Sequence, residues 1–235
     1  MACGGDDSAA TSAAGGPSDA NAQSATTGAE TGAVDARLLE AFDLYTGVAG
    51  RVDDARAREL IWEVAEDTGS PLSRMWIARA RSRGRMGVER DTVRARAEAM
   101  EVIEDIALLA DTGEPEAIFL MGTAHDEGLG RSIDYPTALA WYERAGEMGH
   151  VLAQHNAGNM YAAGRGAAAD PVIAAQWWRR AADRGDAITQ LRLGEAYEAG
   201  SGVPTDSAEA LTWYRRAAEA GNSAAEEAVQ RLTGG

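Results

Sequence analysis

Three segments of the chain align without a gap at a step of 36 residues: EGLGRSIDYPTALAWYERAGEMG from Glu127, AGRGAAADPVIAAQWWRRAADRG from Ala163 and AGSGVPTDSAEALTWYRRAAEAG from Ala199. Gly122, Gly158 and Gly194 keep the same step, as do Gly130, Gly166 and Gly202, Ala138, Ala174 and Ala210, Ala145, Ala181 and Ala217, and Gly149, Gly185 and Gly221. A period of this length marks a supersecondary unit that cannot bury its apolar face alone and gains a core only by stacking on its neighbours. The fold is therefore built by repetition, and the content of one unit fixes most of it.

Each unit reads as helix, glycine loop, helix. Asp134, Asp170 and Asp206 stand where the second helix needs an N-cap, and Pro171 suits its first residue. The loop glycines allow a left-handed end to the first helix. Ala174 and Ala181 lie two turns apart on one face, which lets a neighbouring helix approach closely. The adjacent aromatics (Trp141 and Tyr142, Trp177 and Trp178, Trp213 and Tyr214) diverge by about 100° on a helix, so one can fill its own unit while the other bridges to a neighbour. Composition agrees: the apolar share is mostly alanine, the best helix former, and aromatics are only 6%.

Upstream the grammar continues in degenerate form. Trp62, Ala65 and Gly69 keep the offsets of Tyr142, Ala145 and Gly149, while the interval from Gly69 to Gly113 is longer than the period, with the extra length around Gly87 to Glu98. The sequence thus predicts an all-α, right-handed α/α superhelical solenoid of about five helix-turn-helix repeats plus a C-terminal capping helix. Its parts are a disordered tether over 1–34, two divergent repeats over 35–113, three well-matched repeats over 114–222, and a cap over 223–235. The tether is rich in Ala, Gly, Ser and Thr and has too little apolar surface to offset its ordering entropy.

Leu193, Gly194 and Tyr197, the Gly200 and Gly202 loop, and Ala210, Trp213, Tyr214, Ala217, Ala218 and Gly221 together resemble the Sel-one-like repeat family, a relative of the tetratricopeptide repeat. The resemblance covers about Glu116 to Asn222 and departs in its first unit, where His125 replaces Tyr161 and Tyr197. It implies a scaffold or adaptor that binds a protein or peptide on its concave, first-helix surface. By analogy with tetratricopeptide positions, the outward residues there are Phe119, Thr123 and Asp126, then His155, Asn159 and Ala162, then Leu191, Glu195 and Glu198.

Cys3, followed by Gly4, Gly5 and Asp6, resembles the start of a mature bacterial lipoprotein, which would place the chain in the periplasm or at the outer membrane. Only Met1 and Ala2 precede it, so the apolar part of a signal peptide is not in this sequence. The alternatives are an anchored envelope protein or a free thiol on a chain in solution. A single cysteine cannot build a disulfide framework or a cysteine metal site.

The net charge of −15, with every basic residue an arginine, argues against nucleic-acid binding. One basic island stands out: Arg74, Arg79, Arg81, Arg83, Arg85, Arg90, Arg94 and Arg96, against only Glu89 and Asp91. It is either an exposed face paired with acids such as Glu98 and Glu101, or a docking patch for an anionic partner. His125, His150 and His155 have no metal-ligand spacing, and no nucleophile elbow or phosphate-cradling loop is present. The expectation is a non-enzymatic protein without metal or cofactor and without an obligate homo-oligomer; a wall-directed envelope hydrolase and an outer-membrane assembly factor are the competing readings.

Overall fold

The computed structural model describes residues 34–234; Cys3 and nearly all of the expected tether lie outside the described residues. Eleven helices follow one another with no strand among the described residues: α1 (Ala36–Thr46), α2 (Asp54–Thr68), α3 (Pro71–Arg83), α4 (Thr92–Asp111), α5 (Pro115–Glu127), α6 (Tyr135–Glu147), α7 (Val151–Ala163), α8 (Pro171–Asp183), α9 (Ala187–Ala199), α10 (Ser207–Glu219) and α11 (Ser223–Thr233). They form five antiparallel pairs and a single closing helix, an α solenoid. Odd-numbered helices are the first of each pair and even-numbered helices the second.

One capping rule serves every second helix. Asp53, Asp91, Asp134, Asp170 and Asp206 each accept hydrogen bonds from backbone N–H groups of the first turn of α2, α4, α6, α8 and α10. Those N–H groups have no intrahelical partner, and an aspartate there also answers the positive end of the helix dipole. The divergent repeats keep the cap along with the glycine that ends their first helices, Gly47 and Gly84. The extra length upstream falls mainly in α4, which has 20 residues where α6, α8 and α10 have 13 each.

The paired aromatics divide their work as the 100° offset requires. Tyr142, Trp178 and Tyr214 lie over Gly122, Gly158 and Gly194 of their own repeats; a Cβ at Gly194 would sit 2.5 Å from the Tyr214 ring. Trp177 instead leans on Gly146 of the preceding repeat, and Trp213 packs with Ala182 and Leu193. The second loop glycine makes the other inter-repeat contact. At Gly202 (φ +74°) a Cβ would lie 1.9 Å from the carbonyl oxygen of Pro171, so the loop of one repeat rests on the backbone that opens α8. Only a residue without a side chain fits there.

The stack curls far enough for its ends to meet. The Val52 N–H donates to the Ala220 carbonyl at 3.2 Å, and the α1–α2 loop also lies against Gly185 and Ala187.

Gly202→Ala should destabilise the protein by roughly 1–3 kcal/mol more than Gly221→Ala, the usual cost of overpacking. Both positions have positive φ, but nothing lies within 4 Å of a Cβ at Gly221. Thermal melts of the two variants check this, and equal melting temperatures would remove Gly202 from the repeat interface.

Candidate functional site

The inner face of the solenoid is lined by the first helices, and its two halves differ. In the N-terminal half it is filled by the protein itself. The Arg79 guanidinium lies over the rings of Trp76 at 4.7 Å, Phe119 at 5.2 Å and Tyr45 at 5.9 Å, and the residue is 3% exposed. Phe119 also stacks on His150 at 4.5 Å, and Trp76 and His150 both reach the buried Glu116 carboxylate, at 2.6 and 2.8 Å. Phe119 and Thr123, expected on the concave surface, are instead fully buried, and the Thr123 hydroxyl meets the Tyr142 hydroxyl at 3.3 Å. Arg79, Trp76 and His150 cover Phe119 and Tyr142 covers Thr123, so these positions face the core here.

The basic island is likewise not one face. Arg74 and Arg81 are seven residues apart and share a side of α3, where they pair with Glu101 and Glu98 of α4. Arg79 and Arg83 lie on the opposite side and point to the α5 carboxylates. Arg83 donates to Glu127 at 2.6 Å, and Arg165 donates to Asp126 at 3.1 Å. The Asp126 side chain is only 6% exposed, and burial pushes its pKa up despite the nearby Arg165. Asp126, Arg79, Arg81 and Arg83 are therefore bound up in internal pairs. Within the island Arg74, Arg81 and Arg94 pair with carboxylates of α4 and Arg79 and Arg83 with those of α5, whereas Arg85, Arg90 and Arg96 are exposed and have no ion-pair partner among the described residues.

Two of the expected residues, His155 and Asn159, meet in a directed chain across α7, α8 and α9. Trp178 Nε1–H donates to Asn159 Oδ1 at 3.1 Å, the Asn159 amide lies 2.8 Å from His155 Nε2, and His155 Nδ1 lies 2.7 Å from Thr189 Oγ1. With the Asn159 oxygen occupied by Trp178, its NH₂ must be the donor to Nε2. His155 is then neutral, carrying its proton on Nδ1 toward Thr189. Burial lowers the pKa of His155, with Asp186 at 3.7 Å pulling the other way.

Beyond this chain the inner face opens. A groove of about 540 Å³ has a floor of Ala162, Ala196 and Ala199 beside Trp178, with Arg192 and Glu195 at its rim. A second groove of about 410 Å³ shares Glu195 and Ala199 with it and continues past Leu191 and Glu198 to α11. Arg231 clasps the Glu198 carboxylate from α11 and Tyr214 donates to it at 2.8 Å; these bonds hold its pKa down at about 2. His155 thus stands behind the groove, while Asn159, Leu191, Glu195 and Glu198 line it. The contribution of α11 is absent from the sequence reading; the polar Glu227 and Arg231 of the cap were the signal. His125 is half-buried, with Nδ1 3.3 Å from the Ser132 carbonyl. No group of three or more metal-binding side chains is gathered among the described residues, and no helix there is long and apolar enough to cross a membrane.

The family model described as "Sel1 repeat" matches residues 72–97, 115–150, 151–186 and 187–222. Among solved structures, a Sel1 repeat protein from Oxalobacter formigenes is 33% identical over 77% of this chain and 50% of its own, with a TM-score of 0.55. The protein c5321 of uropathogenic Escherichia coli, a protective antigen with an SLR fold, is 26% identical over 83% of this chain and 48% of its own, with a TM-score of 0.56. The chain thus spans about half the length of these two relatives. No curated protein matches it significantly.

Lowering the pH should loosen the inner face. Because the folded state lowers the His155 pKa, the unfolded chain takes up the proton first. Stability is then unaffected by this group above about 6.5 and is lost as pH falls below that value. Melting curves across this range should show the loss, and His155→Gln should flatten it. An unchanged slope in the variant would mean that His155 does not carry the dependence.

Proposed function

The chain belongs to the Sel1 repeat family, and from that premise we propose that it is a protein-interaction scaffold that receives a peptide segment in the groove along α7, α9 and α11. The observation that carries this reading is the contrast between the two halves of the inner face. The N-terminal half is closed by Arg79, Tyr45 and Phe119, whereas the C-terminal half leaves an alanine floor and the Trp178 edge open. Alanines in place of long side chains create depth for an incoming apolar side chain. The rim, with Arg192 bonded to Glu195 and Arg231 bonded to Glu198, offers both signs of charge to a peptide backbone.

The occupant that suits this lining is an extended or single-turn peptide with one apolar anchor and few charges. The carboxylates and guanidiniums at the rim largely neutralise one another, so long-range attraction contributes little and the contact rests on buried apolar area. An envelope location through a lipid on Cys3 belongs to the same proposal, supported by the Cys-Gly-Gly-Asp run alone.

Peptides selected from a random display library on the full chain should share an apolar anchor. Ala199→Arg, at the exposed residue common to both grooves, should weaken the best of them roughly tenfold, about 1.4 kcal/mol. Arg215→Glu on the outer surface should leave binding unchanged. Calorimetric titration reads both variants, and equal affinity for Ala199→Arg and the parent chain moves the site elsewhere. Separately, the protein made in its own cell should enter the detergent phase and its Cys3→Ser form should not; identical partition of the two removes the anchor.

A further inference from the structure

Four positions in α7, α8 and α9 depart from what the other repeats carry, and the four side chains touch one another. His155 stands where the neighbouring repeats have Phe119 and Leu191, and Thr189 where the stack elsewhere has Ala117, Ala153 and Ala225. Asn159 takes the place of Thr123 and Glu195, and Trp178 that of Tyr142 and Tyr214. Packing alone does not require the polar His155 and Thr189, since leucine and alanine fill the same places one repeat away. Together the four make a relay of hydrogen bonds that ends in the wall of the groove.

The relay has one proton arrangement while His155 is neutral. The indole nitrogen is a donor only, so Trp178 holds Asn159 Oδ1 at 3.1 Å and the amide nitrogen faces His155 Nε2 at 2.8 Å. Nε2 therefore accepts, and Nδ1–H donates to Thr189 Oγ1 at 2.7 Å. A second proton on the ring can go only to Nε2, where it meets the Asn159 NH₂ head on. The conflict is relieved when the carboxamide turns over and gives its oxygen to His155. That turn sets the NH₂ against the Trp178 N–H, which loses its acceptor. Trp178 and Asn159 both line the groove of about 540 Å³, so a proton taken up behind the wall alters the wall itself.

The surroundings select the neutral ring. Burial is the main force that lowers the His155 pKa; Asp186, 3.7 Å away, opposes it, and Arg83, Arg192 and Arg79 add to it. Those arginines are themselves held by Asp126 and Glu127 of α5 and by Glu195 of α9. The His155 side chain is 14% exposed, and an apolar side chain seated on the alanine floor would strip away more of its water. Peptide and proton therefore compete.

We propose that the Thr189–His155–Asn159–Trp178 relay is a proton-operated switch, which keeps the groove in its peptide-binding form while His155 is neutral and releases the peptide on acidification. The inference rests on the peptide-groove reading and adds its regulation. By linkage, a ligand that prefers the neutral ring displaces a proton, and the proton displaces the ligand equally. The folded pKa lies below 6.5, so affinity is level above that value and falls as pH drops through the folded pKa. One proton sets the limit at about tenfold per pH unit.

Two measurements on the full chain test this between about pH 5 and 8. In nitrogen-15 spectra without peptide, the Trp178 indole N–H signal, assigned by its loss in Trp178→Phe, should shift with a midpoint below about 6.5. It should stay fixed in His155→Gln and in His155→Leu, the latter carrying the residue of the next repeat. These variants also separate His155 from Asp126, whose carboxyl is raised by burial and holds Arg165 at the same groove. Calorimetric titration with a peptide selected at neutral pH should show affinity falling below about pH 6.5 in the parent and level in both variants. An indole signal that does not move, or that moves alike in the variants, overturns the relay. A peptide whose affinity is the same across the range overturns the switch and leaves the groove reading standing. Failure of every selected peptide to bind at neutral pH overturns the groove reading and the switch together.

Discussion

Helices can stack at this spacing only where one of each contacting pair gives up its side chain. Gly122, Gly158 and Gly194 do so beneath the rings of Tyr142, Trp178 and Tyr214, and the loop glycines do so above the backbone of the preceding second helix. The large aromatic area thus buried is the main apolar gain of a repeat otherwise built from alanine. Everything else in the unit supports that placement. The aspartate caps fix where each second helix starts, and therefore which residue meets the glycine. The first aromatic of the pair then docks the unit on the preceding one, Trp177 on Gly146 and Trp213 on Ala182.

These features were legible in the sequence because they are local and recur at one period. Capping, helix length and the split of the aromatic pair follow from spacing alone, and the divergent repeats were recognisable from Trp62, Ala65 and Gly69. The inner face was less legible, because it depends on how far the stack bends. Positions taken by analogy from a straighter array put Phe119 and Thr123 in solvent, whereas here Arg79 lies over Phe119 and Tyr142 meets Thr123. The split of the arginines between two sides of α3 could have been read from helical geometry, since Arg74 and Arg81 are two turns apart while Arg79 and Arg83 fall on the far side. That each would find a carboxylate on a different helix needed the three-dimensional arrangement.

The division of the inner face has an energetic logic. Arg79 is held by three aromatic rings and a carboxylate, a setting in which a desolvated cation is tolerable because several partners share it. The same helix face in the later repeats carries His155, whose neutral form is selected by burial, and then Leu191. At the position of His155 the stack carries Met75, Phe119, His155 and Leu191, and one turn on it carries Arg79, Thr123, Asn159 and Glu195.

Val52 bonded to Ala220 changes what kind of object this repeat array is. An open array is a chain of nearest neighbours, whose terminal members fray independently and whose units form in any order. Joining the α1–α2 loop to the later pairs adds a coupling that spans most of the described residues. Loop-closure entropy must be met before that coupling forms, which delays the final step of folding. Once formed, it ties the fraying of the first pair to that of the later repeats.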